Sequence, residues 1–275
     1  MLMQRIRTGL FMAVPAVLLI LSAPPLVLDM AIAALILGAA WEWSALGGLA
    51  GKAVRLAFVL GTALVMGLAV LLAGPGRDGL GLLLLASGTG WACAAVAVVA
   101  YPRGTALWGS VPCRLLLGLC VLVPPWIAVL YLRSLHHGEW LLLFCIALIV
   151  FVDIGAFFAG RSFGGPKLMP HVSPAKTWSG FCGGLSASLA LAGAVALGVG
   201  MPADRLGAWL LVCLFTALAA VVGDLLESML KRFTGIKDSG SLLPGHGGLF
   251  DRLDSLTAGL PVFALGVFVA GGFAS

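Results

Sequence analysis

Long apolar runs dominate the sequence and restrict what the chain can fold into. Of its 275 residues, 61% are hydrophobic and 10% are charged. Several runs approach or exceed the roughly 18 apolar residues that cross a bilayer as a helix. Inside a bilayer the backbone must satisfy its own polar groups, so only helices and closed barrels can span it. Because the runs are unbroken rather than alternating, the sequence predicts an all-α, polytopic integral membrane protein.

About nine transmembrane helices are predicted, and together they form one integral membrane domain. We expect 1–138 to hold the N-terminal transmembrane helices and 139–275 to form a C-terminal catalytic transmembrane region. The first span follows two arginines as in a signal peptide, but a second apolar run follows it directly, so we expect it to be retained. The expected spans are about 8–23, 26–43, 55–73, 79–100, 114–132, 139–160, 178–199, 206–228 and 255–273.

The distribution of Lys and Arg predicts the orientation of the chain. With the N-terminus in the cytoplasm, most of the 16 basic residues fall in cytoplasmic segments, as the positive-inside rule requires. The most basic of these segments are 161–177 and 229–254, so an active site built from them would face the cytoplasm. The net charge of +5 then reflects these loops or an anionic substrate, and we expect no nucleic-acid partner. Compact loops and the lack of a transit peptide favour a bacterial inner membrane.

Acidic residues within or at the ends of apolar helices are the first candidates for function. A carboxylate in a bilayer is costly unless it is paired or wet. Carboxylates held close together also repel each other unless a cation neutralises them, and hard oxygen ligands beside substrate phosphates favour Mg²⁺. We therefore predict that Asp224, Asp251 and Asp254 bind the metal, with Asp153 at the same depth. The spacing leaves open a purely structural alternative, in which ion pairs form with Lys231, Arg232 and Arg252.

Two loops have the composition of phosphate-binding segments. In GRSFGGPKLMPHVSPAKTWSG (160–180), Ser173 or Thr177 is placed to cap the next helix, and Lys176 beside that helix N-terminus would attract a phosphate. In the segment PGHGG (244–248), the glycines let backbone N–H groups approach an anion. His246 would donate to a phosphate or serve as an acid or base. The alternatives are a positive-inside anchor for the first loop and a solvated histidine in the second.

The stretch SMLKRFTGIKDSGSLLPGHGGLFDRLDS (228–255) closely resembles the signature of the phosphatidate cytidylyltransferase family, also called CDP-diacylglycerol synthases. It meets every fixed position of the pattern S-x-x-K-R-x₄-K-D, then P-G-H-G-G, then D-R-x-D. The segments VDIGAFFAGRSFGGPKLMPHVSPAKTWSG and VVGDLLES are also similar to the family, as is AAWEWSAL (39–46), which otherwise has the composition of an interfacial Trp belt. The resemblance is strong over 150–261 and fainter before it.

The resemblance implies that CTP and phosphatidate react to give CDP-diacylglycerol and pyrophosphate. The attacking lipid phosphate is already an anion, so His246 is expected to contact phosphate rather than to act as a base. The expected cofactor is Mg²⁺, and a second, monovalent cation is left open. The expected partners are CTP and phosphatidate in the bilayer, and a homodimer is left open. The implied catalytic residues are Asp224, Asp251, Asp254, Lys231 and His246; the implied substrate-binding residues are Ser173, Lys176, Thr177, Arg232, Lys237, Asp238, Arg252 and Asp153.

Two other function classes are weighed against this one. A CTP-dependent polyprenol kinase would also gather cations and carboxylates around nucleotide phosphates. An ion-coupled transporter would use intramembrane acids to bind H⁺ or Na⁺, but such transporters often carry paired broken helices, and the charges here gather at one face.

Ser179 stands where the family pattern leads us to expect Glu or Gln, and we assign it no catalytic role.

Overall fold

The computed structural model describes residues 13–74, 76–240, 242 and 247–272, with the backbone alone at residue 77. This part of the chain forms ten helices and one small hairpin. The helices are α1 (Ala13–Ser22, its described part), α2 (Pro25–Leu46), α3 (Lys52–Ala73), α4 (Arg77–Val99), α5 (Thr105–Trp108), α6 (Val111–Arg133), α7 (Gly138–Phe163), α8 (Trp178–Gly198), α9 (Ala203–Thr234) and α10 (Phe250–Val269). The strands are β1 (Lys167–Met169) and β2 (Ser173–Thr177).

Eight of these helices, α2 to α4 and α6 to α10, are long and apolar enough to cross a membrane. The prediction of an all-α polytopic protein is thereby confirmed. Each of the eight corresponds to a predicted span, and the predicted span 8–23 is helical over 13–22. The last helix begins at Phe250, five residues before the predicted start at 255, because a helix continues through charged residues at which an apolar run stops.

The last helix, α10, lies at the centre of the helical bundle. It packs against α2, α4, α6, α7 and α9, and it buries Phe263, Ala264 and Val267 completely. By contrast, α3 presents exposed leucines such as Leu64 and Leu71 on the outside, as a lipid-facing helix does. Helices from both sides of residue 139 therefore share one core. The division of the chain into an N-terminal region (1–138) and a catalytic region (139–275) stays a prediction.

Small residues bring α7 and α8 into close contact. A Cβ atom added at Gly155 would lie 2.5 Å from the Gly183 carbonyl oxygen, and one added at Gly184 would lie 2.7 Å from the Val152 carbonyl oxygen. Glycines at such crossings let helix backbones approach each other in a membrane. Because Asp153 lies next to Val152 on α7, this contact sets the acid beside the start of α8.

A β-hairpin connects α7 to α8. Its strands are antiparallel, with Lys167 opposite Thr177 and Met169 opposite Ser173. The segment that the sequence analysis treats as a loop is therefore an ordered hairpin. Thr177 is the N-cap of α8 and accepts a hydrogen bond from the Gly180 N–H at 3.1 Å. The cap holds the preceding residue of β2 at the helix N-terminus.

Helix α9 is long enough to carry charged residues beyond the hydrocarbon. With a rise of about 1.5 Å per residue, a helix of 32 residues extends for about 48 Å, whereas the hydrocarbon core is about 30 Å thick. The helix ends at Thr234 and is capped by Gly235, which has a φ of 72°, and the Ile236 N–H donates to the Lys231 carbonyl oxygen at 3.0 Å. The polar segment from Asp224 to Arg232 thus forms the last turns of a helix whose earlier part is apolar.

Candidate active site

A cavity of about 400 Å³ lies between α7, the hairpin, α8 and α9. Its walls are of two kinds. The polar wall consists of Asp153, Arg161, Lys176, Thr177 and Asp224. The apolar wall includes Val152, Ala156, Phe157, Leu168, Phe181 and Val221. A cavity with both walls can receive a molecule that has a charged head and an apolar body.

Lys176 and Asp224, here called the cavity pair, form an ion pair on the polar wall. The Lys176 Nζ donates to Asp224 Oδ2, and the Ser228 hydroxyl donates to Asp224 Oδ1 at 3.4 Å. The two side chains are 26% and 28% exposed. Asp153, exposed to the cavity, interacts electrostatically with both of them. Because the pair is accessible, an incoming anion can compete with Asp224 for the lysine.

Glu227, Lys231 and Asp251, here called the loop cluster, form a second and more enclosed group. The Lys231 Nζ donates to Glu227 Oε2 at 2.8 Å and to Asp251 Oδ1 at 2.9 Å. Backbone N–H groups complete the shell of Asp251: Ser239 donates at 3.1 and 3.2 Å, and Gly248 donates at 2.9 Å. Glu227 is 2% exposed. Ser239 and Gly248, two described residues between α9 and α10, thus both bind the Asp251 carboxylate.

Asp254 lies between the cavity pair and the loop cluster. It contacts Glu227 and interacts electrostatically with Asp224 and Asp153. The helices that carry these acids approach closely, since a Cβ atom at Gly223 would lie 2.4 Å from the Asp254 carbonyl oxygen. The structure therefore brings the predicted acids of α7, α9 and α10 to one end of the bundle.

The carboxylates have the donor chemistry that a hard divalent cation requires. In the part of the chain that the structure describes, no three acidic, His or Cys side chains are already placed as ligands of one ion. Lysines hold Asp224 and Asp251 instead, and the Ser255 N–H donates to Asp254 Oδ1 at 2.7 Å. Glu227 Oε1 is buried and, among the described residues, has no hydrogen-bond partner. This unsatisfied oxygen fits a cation ligand, and Mg²⁺ stays a prediction.

The remaining predicted basic residues lie around the cluster rather than inside it. Arg232 is exposed, and its Nε donates to the Val172 carbonyl oxygen at 3.4 Å, which links the end of α9 to the hairpin. Lys237 is exposed on the loop after α9, and Arg252 is exposed on the first turn of α10. These three cations thus lie at the end of α9, on the loop after it and at the start of α10.

Of three further residues predicted to belong to the site, the structure describes two. Asp238 lies near the loop cluster, since its Oδ1 is 3.9 Å from the position of a Cβ atom at Gly247. Ser173 is half-buried in β2, opposite Met169. His246 lies outside the described residues, so its predicted phosphate contact stays a prediction.

Sequence reasoning gave too little weight to two buried acids. Neither Glu227 nor Glu42 is among the residues predicted from the sequence, yet each is 2% exposed. The signal was present, because an acid inside an apolar run is costly wherever it occurs. Ser179 has a local role, since its hydroxyl donates to the Gly164 carbonyl oxygen and lies 3.0 Å from the Thr177 hydroxyl.

Comparison with known proteins supplies independent findings. The family model described as "Cytidylyltransferase family" matches residues 3–270. A Pseudomonas aeruginosa protein named phosphatidate cytidylyltransferase is 43% identical over 232 residues, which cover 84% of each chain. A Haemophilus influenzae protein of the same name is 34% identical over 96% of this chain and 98% of its own. Another from Bacillus subtilis is 41% identical over 48% of this chain and 50% of its own.

Proposed function

The chain belongs to the cytidylyltransferase family, and we propose that the cavity and the acids around it are where it makes CDP-diacylglycerol from CTP and phosphatidate. A phosphate oxygen of phosphatidate attacks the α-phosphorus of CTP. The bond from that phosphorus to the bridging oxygen of the β-phosphate breaks, and pyrophosphate leaves. The observation that carries the proposal is the meeting of two lysine–carboxylate groups beside a cavity that is polar on one wall and apolar on the other.

Phosphatidate is assigned to the cavity. Its phosphate would replace Asp224 as a partner of Lys176, with Arg161 near by, while the apolar wall accepts the start of the acyl chains. Phe157 lines this wall and is 50% exposed, and Trp178 at the start of α8 is equally exposed. Exposed aromatic side chains on a membrane protein suit contact with lipid. The rest of the acyl chains can stay in the bilayer.

CTP is assigned to the loop between α9 and α10. Its phosphates would meet Lys231, with Arg232, Lys237 and Arg252 around the approach and His246 as a further contact. Two polyanions repel each other, so cations must neutralise them before they can react. Catalysis then rests on positioning and charge stabilisation rather than on a strong base. Asp238 would orient Lys237, and Ser173 and Thr177 would shape the hairpin side of the site.

Mg²⁺ fits this site as a cofactor held by Asp224, Asp251 and Asp254. Bound there, the ion would withdraw negative charge from the CTP phosphates and make pyrophosphate a better leaving group. The contact of Asp254 with buried Glu227 supports an added cation, because the two lysines do not neutralise all of the acids around them. A monovalent second ion stays a prediction.

In this proposal, the protein lies in a bacterial inner membrane and the site faces the cytoplasm. The concentration of Lys and Arg in the segments around the site supports that orientation. CTP would then reach the loop directly from the cytosol, and phosphatidate would reach the cavity from the adjoining leaflet. A homodimer stays a prediction, to be tested by the mass of the solubilised protein.

The test is transfer of label from CTP to lipid by the purified protein. With phosphatidate and Mg²⁺ present, label in the α-phosphate of CTP is expected in CDP-diacylglycerol, with an equal amount of pyrophosphate released. Label in the γ-phosphate is expected in pyrophosphate. A lipid product that carries the γ-label would instead indicate a CTP-dependent kinase, and ion flux in proteoliposomes without nucleotide would indicate a transporter.

A further inference from the structure

Glu42 on α2 is a buried acid that the reaction described above does not use. Its carboxylate accepts hydrogen bonds from three groups that lie about 200 residues later in the chain. The Phe250 N–H donates to Oε2 at 2.8 Å, the Ser239 hydroxyl donates to Oε2 at 3.3 Å, and the Leu242 N–H donates to Oε1 at 3.3 Å. A residue of the second helix thus holds both ends of the loop between α9 and α10.

Glu42 also caps α10 from outside that helix. The N-cap position of α10 is Leu249, whose side chain cannot accept a hydrogen bond. The Phe250 N–H belongs to the first turn, where backbone donors have no partner within the helix. Ser, Thr, Asp or Asn at the N-cap usually accepts such a bond, and here the Glu42 carboxylate does so. Its negative charge also lies at the positive end of the helix dipole.

Two glycines of the loop pack directly against this carboxylate. A Cβ atom at Gly240 would lie 2.3 Å from Glu42 Oε1, and one at Gly248 would lie 2.7 Å from Oε2. Trp43, the next residue of α2, packs edge-on against Phe250 with ring centroids 5.1 Å apart. The loop glycines therefore leave the space in which the carboxylate lies.

Ser239 connects Glu42 to Asp251. Its hydroxyl donates to Glu42, while its N–H donates to both carboxylate oxygens of Asp251. Phe250, whose N–H makes the shortest hydrogen bond to Glu42, immediately precedes Asp251. We propose that Glu42 is a positioning residue for cytidylyl transfer, which fixes the loop and the first turn of α10 so that Asp251 stays against Lys231. The activity measurement that tests this inference rests on the proposed function, whereas the hydrogen-exchange measurement does not.

The test compares Glu42→Ala and Glu42→Gln in the full-length protein. We expect Glu42→Ala to lower kcat/KM for CTP about 100-fold, since three hydrogen bonds to a buried carboxylate are lost. Glu42→Gln keeps one acceptor oxygen and is expected to recover activity to within about tenfold of wild type. Hydrogen exchange in Glu42→Ala should rise in the segment 239–250 and stay unchanged in α7 and α8.

Two further variants separate positioning from general destabilisation. Glu139→Ala is the matched control, because Glu139 lies on the first turn of α7, about 21 Å along the helix axis from Asp153. It should leave both kcat/KM and the exchange of the loop unchanged. If Glu42 acts through Ser239, the variant with both Glu42→Ala and Ser239→Ala should lose little more activity than Glu42→Ala alone.

The inference is overturned if Glu42→Ala keeps kcat/KM within about threefold of wild type, or if activity falls while exchange in 239–250 is unchanged. Fully additive losses in the double variant would also contradict it, since independent sites are additive. Should Glu42→Ala fail to fold, Glu42→Gln and Ser239→Ala provide the same comparison. A wild-type protein that forms no CDP-diacylglycerol would refute the proposed function instead, and the exchange of the loop would still decide the role of Glu42.

Discussion

The cavity pair and the loop cluster contain the same chemistry in different surroundings. In the cavity pair, Lys176 and Asp224 are each about one quarter exposed. In the loop cluster, Lys231 holds two carboxylates, one of them almost fully buried, and backbone N–H groups bind the other. An accessible ion pair can exchange one partner for a substrate, whereas an enclosed one resists exchange and fixes geometry. The difference suggests that the cavity pair exchanges a partner for phosphatidate, whereas the loop cluster holds the loop and α10 in place and presents Lys231 and Asp251 to CTP.

The largest expected effect is the loss of the Asp251 charge. Asp251→Asn should lower turnover about 1,000-fold, because charge stabilisation in an enclosed site is usually worth that much. Expression and membrane insertion should not change. Asp29→Asn is the matched control, since Asp29 pairs with Arg133 at 2.8 Å and both side chains are 23% exposed. Near-normal formation of CDP-diacylglycerol by Asp251→Asn would refute both the proposed metal ligand and the importance of the loop cluster.

The second prediction compares the two lysines by stability. Lys231→Met leaves buried carboxylates without their counter-charge and should cost about 3 kcal/mol, seen as a lower Tm of the solubilised protein. Lys176→Met removes a partner from a more accessible pair and should cost less than about 1 kcal/mol. Equal losses of stability would remove the distinction between an enclosed cluster and an accessible pair.

A smaller effect is expected from separating the helices that carry the acids. Gly223→Ala would set a Cβ atom 2.4 Å from the Asp254 carbonyl oxygen, so α9 and α10 must move apart at a cost of about 2 kcal/mol. Activity should fall with Tm, because Asp224 would move away from Asp254. On lipid-facing α3, a Cβ atom at Gly67 meets nothing within 4 Å, and Gly67→Ala should leave both measurements unchanged. A tolerated Gly223→Ala would show that the close crossing is not required.

Most of the fold could be predicted from the sequence because membrane helices are specified locally. A long apolar run has few alternatives in a bilayer, and eight predicted spans were confirmed on that basis. The helix ends were harder to predict. Charged turns continue α9 to Thr234 and start α10 at Phe250, since backbone hydrogen bonding does not stop where the apolar run stops.

The site was predictable in composition but not in pairing. Asp224, Ser228 and Lys231 follow an i, i+4, i+7 spacing that puts them on one face of α9, and the hydrogen bond from Ser228 to Asp224 agrees with it. Spacing could not show that Lys176 would pair with Asp224, because that contact depends on how β2 packs against α9. The contact between Glu42 and the loop spans about 200 residues, so no local pattern encodes it.

The most direct test of the account is the KM of each substrate in two variants. The central claim is that the cavity receives phosphatidate and the loop receives CTP. Lys176→Met should raise the KM for phosphatidate about tenfold or more, the size of one lost charge-assisted hydrogen bond, and leave the KM for CTP nearly unchanged. Lys237→Met, on the exposed loop after α9, should do the reverse. A Lys176→Met protein whose KM for CTP rises as much as its KM for phosphatidate would contradict the claim.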